Sequence, residues 1–182
     1  QGKVTNAAVI LVGKKDIINS KYPQAKISLE YRTGESNIHF DAREFFDGPY
    51  YIMIDKLWAA INSRNGSVPV RNGIYKDYDI PLFNEDVIRE ALNNAIAHRA
   101  YDIQGEIVVK QYPTQMIFVN PGGFPHGVTI DNILYVQSTP RNRLLADVLS
   151  KTCLVERFGQ GVVNRFLDTL SEGKPAPDYS KT

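Results

Sequence analysis

Glu90, Asn94 and His98 follow one another at four-residue steps. In a helix that spacing lines a carboxylate, an amide and an imidazole along one side, one turn apart. The chemistry on offer is phosphate and water chemistry. Magnesium prefers hard oxygen ligands, keeps several waters and takes one or two protein groups plus substrate phosphates, so the amide oxygen of Asn94 suffices as an anchor. Glu90, one turn earlier, is placed to hold an attacking water. Two glycine turns add to the set. Asn120-Pro121-Gly122-Gly123 closes a β-rich run, where paired glycines let the backbone turn sharply and a ligand come close, and where Asn120 can meet a base edge. Gly159-Gln160-Gly161 opens an amphipathic run, and a glycine turn at a helix N-terminus presents unpaired amides and the positive dipole end to an anion. His98 can line the phosphate pocket, and Arg141 and Arg143 can reach phosphates.

Each of these residues also has a plainer reading. Glu and Asn four apart are most often the solvated side of an amphipathic helix. A helix histidine is more often a surface or hydrogen-bonded structural residue. Arg141 and Arg143 can simply solvate a loop, and the four glycines can serve as hinges and helix stops. His39, His98 and His126 lack metal-ligand spacing, so a zinc site is not expected.

The elements that must position this chemistry are legible in part. Over 84–101, Ile88, Ala91, Leu92, Ala95 and Ile96 make an apolar stripe at three- and four-residue steps. Asn84 is a cap residue, and Glu85 and Asp86 sit where the helix dipole favours negative charge. Residues 1–47 read as short strands: a continuous apolar run at 7–12 ended by Gly13, and Ile27, Leu29 and Tyr31 alternating as one half-buried strand. Gly13-Lys14-Lys15 is not a phosphate loop, because Ala8 and Lys15 stand where that motif needs a glycine and a Ser or Thr. Tyr51, Ile54, Trp58 and Ile61 predict a helix, with Trp58 in the core and a left-handed stop at Gly66. A short strand is expected at 68–75, and a hairpin at 105–112 and 115–119 around Pro113-Thr114. Beyond it come a short helix at 130–134, a polar stretch at 137–143 suited to a mobile lid, a helix carrying Leu144, Leu145, Val148 and Leu149, and a last one carrying Val162, Val163, Phe166, Leu167 and Leu170.

Composition bounds the rest. With 182 residues, 43% hydrophobic and 23% charged, the chain is long enough to bury one full core. No apolar run approaches the roughly 20 residues of a membrane helix, so no membrane partner is expected and the cytoplasm is the default location. A net charge of +1, with both signs scattered, argues against a domain that neutralises many phosphates by itself. A single cysteine, Cys153, allows no internal disulfide. The first residue is not Met and both ends look abrupt, so a fragment of a longer protein is expected.

Taken together, the ordered blocks resemble the GHKL ATPases, the class of gyrase and the histidine kinases. The N box of that family is Glu-x-x-x-Asn on a helix, matched by Glu90-Ala91-Leu92-Asn93-Asn94. The resemblance implies Glu90 as general base and Asn94 as magnesium ligand. Asn120-Pro121-Gly122-Gly123 is similar to the first glycine box, with Asn120 where the family's adenine-reading Asp stands, and Gly159-Gln160-Gly161 to a shortened second one. A closer resemblance is to the divergent GHKL-like domain found behind a Schlafen AlbA-like DNA-binding domain in bacterial proteins labelled RecG-like helicases or transcriptional regulators. Its hallmarks look like residues 89–101, then Asn120-Pro121-Gly122, Arg141-Asn142 and residues 156–161, with Thr5-Asn6-Ala7-Ala8 as the junction after the AlbA-like domain. No Walker A loop is present, so a helicase motor is not expected.

The expected fold is an α/β two-layer sandwich, a mixed sheet covered on one face by helices near 50–64, 84–100, 142–151 and 161–171. Residues 1–80 are expected to form a strand-rich part with one helix, on the same sheet or as a small subdomain, and 81–182 the GHKL-like core, cut short at its C-terminus. The expected function is a regulatory domain binding ATP with magnesium, with magnesium-dependent ATP hydrolysis weak if present at all, DNA reached only through a domain outside this sequence, and a homodimer as partner. The competing expectation is a degenerate, non-catalytic oligomerisation or signalling module that has lost its nucleotide.

Overall fold

In the computed structural model, which describes residues 3–34, 39–71, 77–133, 135, 140–152, 170 and 174–179, the elements run in this order: α1 Asn6–Val12, α2 Lys15–Lys21, β1 Lys26–Tyr31, β2 Ala42–Asp47, α3 Tyr50–Asn62, β3 Ser67–Arg71, β4 Asp77–Pro81, α4 Glu85–His98, β5 Ile107–Gln111, β6 Met116–Val119 and α5 Arg143–Lys151. Four strands make one mixed sheet in the order β2-β1-β5-β6, while β3 and β4 pair by themselves. β1 and β5 are parallel. Parallel neighbours need a long crossover, and here it carries α3 and α4. The β5–β6 hairpin forms around Pro113-Thr114 as expected, closed by Tyr112 N–H to the Gln115 carbonyl at 2.9 Å.

The helices cover one face of this sheet. Ile27 sits opposite Ile107 and Leu29 opposite Val109, and all four share one core with Leu11 of α1, Leu57 and Ile61 of α3, Leu92 of α4, and Leu145 and Leu149 of α5. The second face of β1 is also covered, which overturns the half-buried reading of that strand. Ser28 and Glu30 are buried there. Arg32 pairs with Glu30 at 2.7 Å, and Arg43 of β2 spans Glu30 and Glu106. A strand roofed by ion pairs keeps its polar alternation in sequence, so periodicity alone reads it as solvent-facing.

Residues 7–12 form a helix, not the expected strand. Thr5 Oγ1 accepts from the Ala8 amide at 3.2 Å and so caps the helix start. Ala7, Ile10 and Leu11 then face the main core, while Val9 joins Ile18 and Ala25 in a smaller one. A short apolar run fits a buried helix as well as a strand. α2, absent from the expectations, follows at once. α3 matches its expected span, with Trp58 partly buried against the core, but Gly66 is not a left-handed stop. It is missing from the glycines with positive φ, and a Cβ there would lie 2.9 Å from Leu82 Cδ1, so the small residue serves a close approach. The strand expected at 68–75 is met by β3, which begins one residue earlier, and residues 72–75 lie outside the described residues. At 130–133 the chain turns instead of forming a helix: the Asn132 side chain accepts from the Thr129 amide and donates to the Gly127 carbonyl, local bonds that compete with helical ones. α5 matches its expected span. Leu170 is helical, and the remainder of the helix expected over 161–171 lies outside the described residues.

Two buried phenols lead to a pH prediction. Tyr50 is fully buried and donates to Asn93 Oδ1 at 2.7 Å. Burial pushes its pKa well above the ordinary phenol value, and burial raises that of Tyr101 as well. A folded-state pKa above the unfolded value means full stability below about pH 10 and progressive loss as pH climbs toward the folded value. Phenolate absorbance read beside circular dichroism should therefore show two tyrosines ionising only as the fold is lost. Complete titration near pH 10 in a folded protein would contradict the burial argument.

Candidate functional site

α4 carries the expected row on a partly buried side. Asn94 Nδ2 donates to Glu90 Oε1 at 2.9 Å, so amide and carboxylate hold one another one helical turn apart. On the core side Ile88, Leu92, Ala95 and Ile96 are buried, while Ala91 is only partly so. The helix starts where the sequence places it, with Asn84 Oδ1 accepting from the Asp86 and Val87 amides at 2.9 and 3.5 Å. Arg89 ties it to α3, reaching Glu85 at 2.7 Å and Asp55 at 2.8 Å. Burial lowers the pKa of this guanidinium, yet the two carboxylates outweigh it and the net direction is upward.

The far end of α4 gathers three other segments. The last carbonyls of a helix have no partner of their own within it. Here the Ala95 carbonyl accepts from Asn120 Nδ2 at 3.0 Å as well as from the Arg99 amide at 2.9 Å. The Ala97 carbonyl accepts from the Asn142 amide and side chain at 3.0 and 3.1 Å, and the Arg99 carbonyl from Asn142 Nδ2 at 2.7 Å. Arg141 Nε donates to the His98 carbonyl at 3.2 Å and its Nη2 to the Gly123 carbonyl at 3.0 Å. The Ala100 amide donates to the Pro121 carbonyl at 3.0 Å. At this junction Gly122 takes φ +94°, and a Cβ there would come within 2.7 Å of Ala100 Cβ; around Gly123 there is open space.

The structure thus brings Asn120, Gly122, Gly123 and Arg141 together at the end of the helix that carries Glu90, Asn94 and His98. Gly159, Gln160 and Gly161, like residues 137–139 of the expected lid, lie outside the described residues. Of the described residues, those lining one cleft of about 350 Å³ include Ile10, Tyr22, Tyr101 and Arg143, and those lining another of about 490 Å³ include Lys26, Gly105 and Glu106; neither set includes Glu90 or Asn94. Asn120 keeps Oδ1 buried without a partner among the described residues.

Two residues of this region were not anticipated. Arg99 is fully buried, donates to the Ala100 carbonyl at 2.7 Å and to the Gly105 carbonyl, and lies 5.1 Å from the centre of the Tyr101 ring. Burial lowers its pKa. The one sequence signal was a cation directly after a helix, where the dipole favours it. Asn93, buried beside Asn94, is matched by Tyr50 across 43 positions, and no local pattern encodes that pairing.

Among the described residues no group of three or more His, Cys, Asp or Glu side chains could hold a metal by itself. The donor set does fit magnesium bound mainly by phosphates and water. With Nδ2 committed to Glu90, Asn94 presents its Oδ1 as the remaining hard donor.

The C-terminal part of the chain has a recognised match: residues 104–182 fit the family described as "Putative ATP-dependent DNA helicase recG C-terminal". That similarity covers less than half of the chain. The matched segment takes in Asn120, Gly122, Gly123, Arg141 and residues 159–161, while α4 with Glu90 and Asn94 lies just before it. The mixed sheet and its helical layer are consistent with a divergent GHKL-like fold, and the matched family's description names an ATP-dependent protein. A solved structure of similar fold is the DIP2311 protein from Corynebacterium diphtheriae, at a TM-score of 0.83 and 24% identity, over 97% of this chain and 35% of that one. That likeness bears on fold alone, and the chain spans about a third of that protein's length. No curated protein matches the chain. Among the described residues no helix is long and apolar enough to cross a membrane.

Proposed function

We propose that the chain is a nucleotide-binding regulatory domain that takes ATP with magnesium, and that it belongs to a bacterial regulator reading DNA through a domain outside this sequence. The observation that carries the reading is the Asn94–Glu90 hydrogen bond on the helix whose end holds the 120–123 turn. In this reading Asn94 Oδ1 is the protein's ligand to magnesium, and Glu90, its carboxylate oriented by Asn94, holds the attacking water and takes its proton. Gly122, Gly123 and Asn120 approach the base, His98 and Arg141 flank the phosphates, and Gly159, Gln160 and Gly161 supply backbone amides to them. Bound magnesium would neutralise phosphate charge. Nucleotide occupancy shifts a homodimer contact, and so signals to the DNA-reading part in the cytoplasm.

Thermal melting tests this directly. A ligand selective for the folded state at about one hundred times its Kd should raise the midpoint by about 5–10 °C for a chain of this size. Asn94→Ala should abolish the magnesium-dependent part of that rise. One finding favours the competing module reading: Asn120 spends its amide on the Ala95 carbonyl rather than presenting it outward. No rise at millimolar magnesium nucleotide would decide for that module.

A further inference from the structure

Asn142 occupies the N-cap position of α5, where an Asn side chain ordinarily accepts hydrogen bonds from the first amides of its own helix. It makes no such bond. Its Nδ2 instead donates backward to the carbonyls of Ala97 and Arg99, at 3.1 and 2.7 Å, and its backbone amide donates to Ala97 as well. A residue that gives up capping its own helix to complete another one is a joint between the two. The preceding residue, Arg141, bonds both the His98 carbonyl and the Gly123 carbonyl. The start of α5, the 120–123 turn and the last turn of α4 are thereby one hydrogen-bonded assembly, and the Glu90–Asn94 pair begins one turn back along the same rigid helix.

We infer that Asn142 is a positioning residue for nucleotide binding: through the α4 carbonyls it sets the angle at which Asn94 and Glu90 face the glycine turn, although it touches no ligand itself. The inference rests on the nucleotide-binding reading above. Asn142→Ser isolates the effect. A serine at an N-cap stabilises the start of α5 but is too short to reach back to α4, so the variant keeps its helix and the backbone bond to Ala97 while losing both side-chain bonds to α4. Magnesium ATP affinity, measured by calorimetry on the chain as it stands, should weaken about tenfold, the order set by one or two net hydrogen bonds. Val148→Ala, partly buried in the same α5, is the control: it lowers the melting midpoint without touching the joint, so its affinity should match wild type. Hydrogen exchange at amides 99–101 should accelerate in Asn142→Ser and not in the control.

Unchanged affinity in Asn142→Ser, with wild type binding, overturns the inference and leaves the nucleotide reading standing. Equal weakening in both variants also overturns it, because the loss would then follow stability. Wild type that binds no nucleotide removes the reading and the inference together. Should Asn142→Ser fail to fold, Asn142→Thr, whose hydroxyl also caps the start of α5 without reaching α4, carries the same comparison.

Discussion

Gly122→Ala is expected to destabilise the protein by about 2–5 kcal/mol, while Gly123→Ala, one residue on, shifts stability by no more than about 0.5 kcal/mol. The contrast follows from two backbone facts. Gly122 has φ +94°, a conformation that costs an L side chain about 1–2 kcal/mol, and its new Cβ would sit 2.7 Å from Ala100 Cβ. Ala100 cannot yield easily. It is buried, its amide is held by the Pro121 carbonyl, and Arg141 Nη2 lies 3.5 Å from the same point, so relief must come from backbone movement costing about 1–3 kcal/mol more. Gly123 has nothing within 4 Å of its Cβ position. If the turn approaches a bound base, Gly123→Ala keeps the stability of the free protein but shrinks the rise in melting midpoint that nucleotide produces. Urea unfolding of both variants, with and without nucleotide, checks the pair. Equal stabilities would mean that the turn is looser than its geometry says.

Glu90→Gln is expected to slow phosphate release by about 10²–10⁴-fold, the range spanned by a general base, with nucleotide affinity kept. The glutamine retains an oxygen for the Asn94 amide to bond, so the geometry of the row survives. What it loses is the ability to take a proton from water. Single-turnover phosphate release beside calorimetric Kd separates the two effects. Equal release rates in wild type and variant would take Glu90 out of the chemistry and leave Asn94 as an anchor only. If affinity falls along with rate, Glu90 acts by holding Asn94, and the carboxylate is a support rather than a base.

Much of the candidate site's geometry was legible because its parts are local. The α4 row depends on four-residue spacing within one helix, and Asn84, Glu85 and Asp86 announce where that helix begins. The hairpin of β5 and β6 was equally plain, since Pro113-Thr114 interrupts two β-rich runs. Residues 7–12 were misread because an apolar run of that length packs as either strand or helix, and the deciding Thr5 cap lies just outside it. β1 was misread because the residues that cover its second face, Arg43 and Glu106, are distant in sequence.

What the sequence determined by itself was the chemistry available: a carboxylate and an amide one turn apart on a well-started helix, and glycines at the turn that follows a strand. Tertiary structure alone decided how that chemistry is held. Asn120, Arg141 and Asn142 looked like ligand contacts or loop polarity, and the fold spends their donors on the carbonyls that end α4. The physical reason is that a helix leaves its last carbonyls unsatisfied wherever it stops, and which distant side chains reach them depends on how the chain returns. Spacing within one helix sets which side chains are neighbours, whereas partners across 25 to 45 positions are set only by packing.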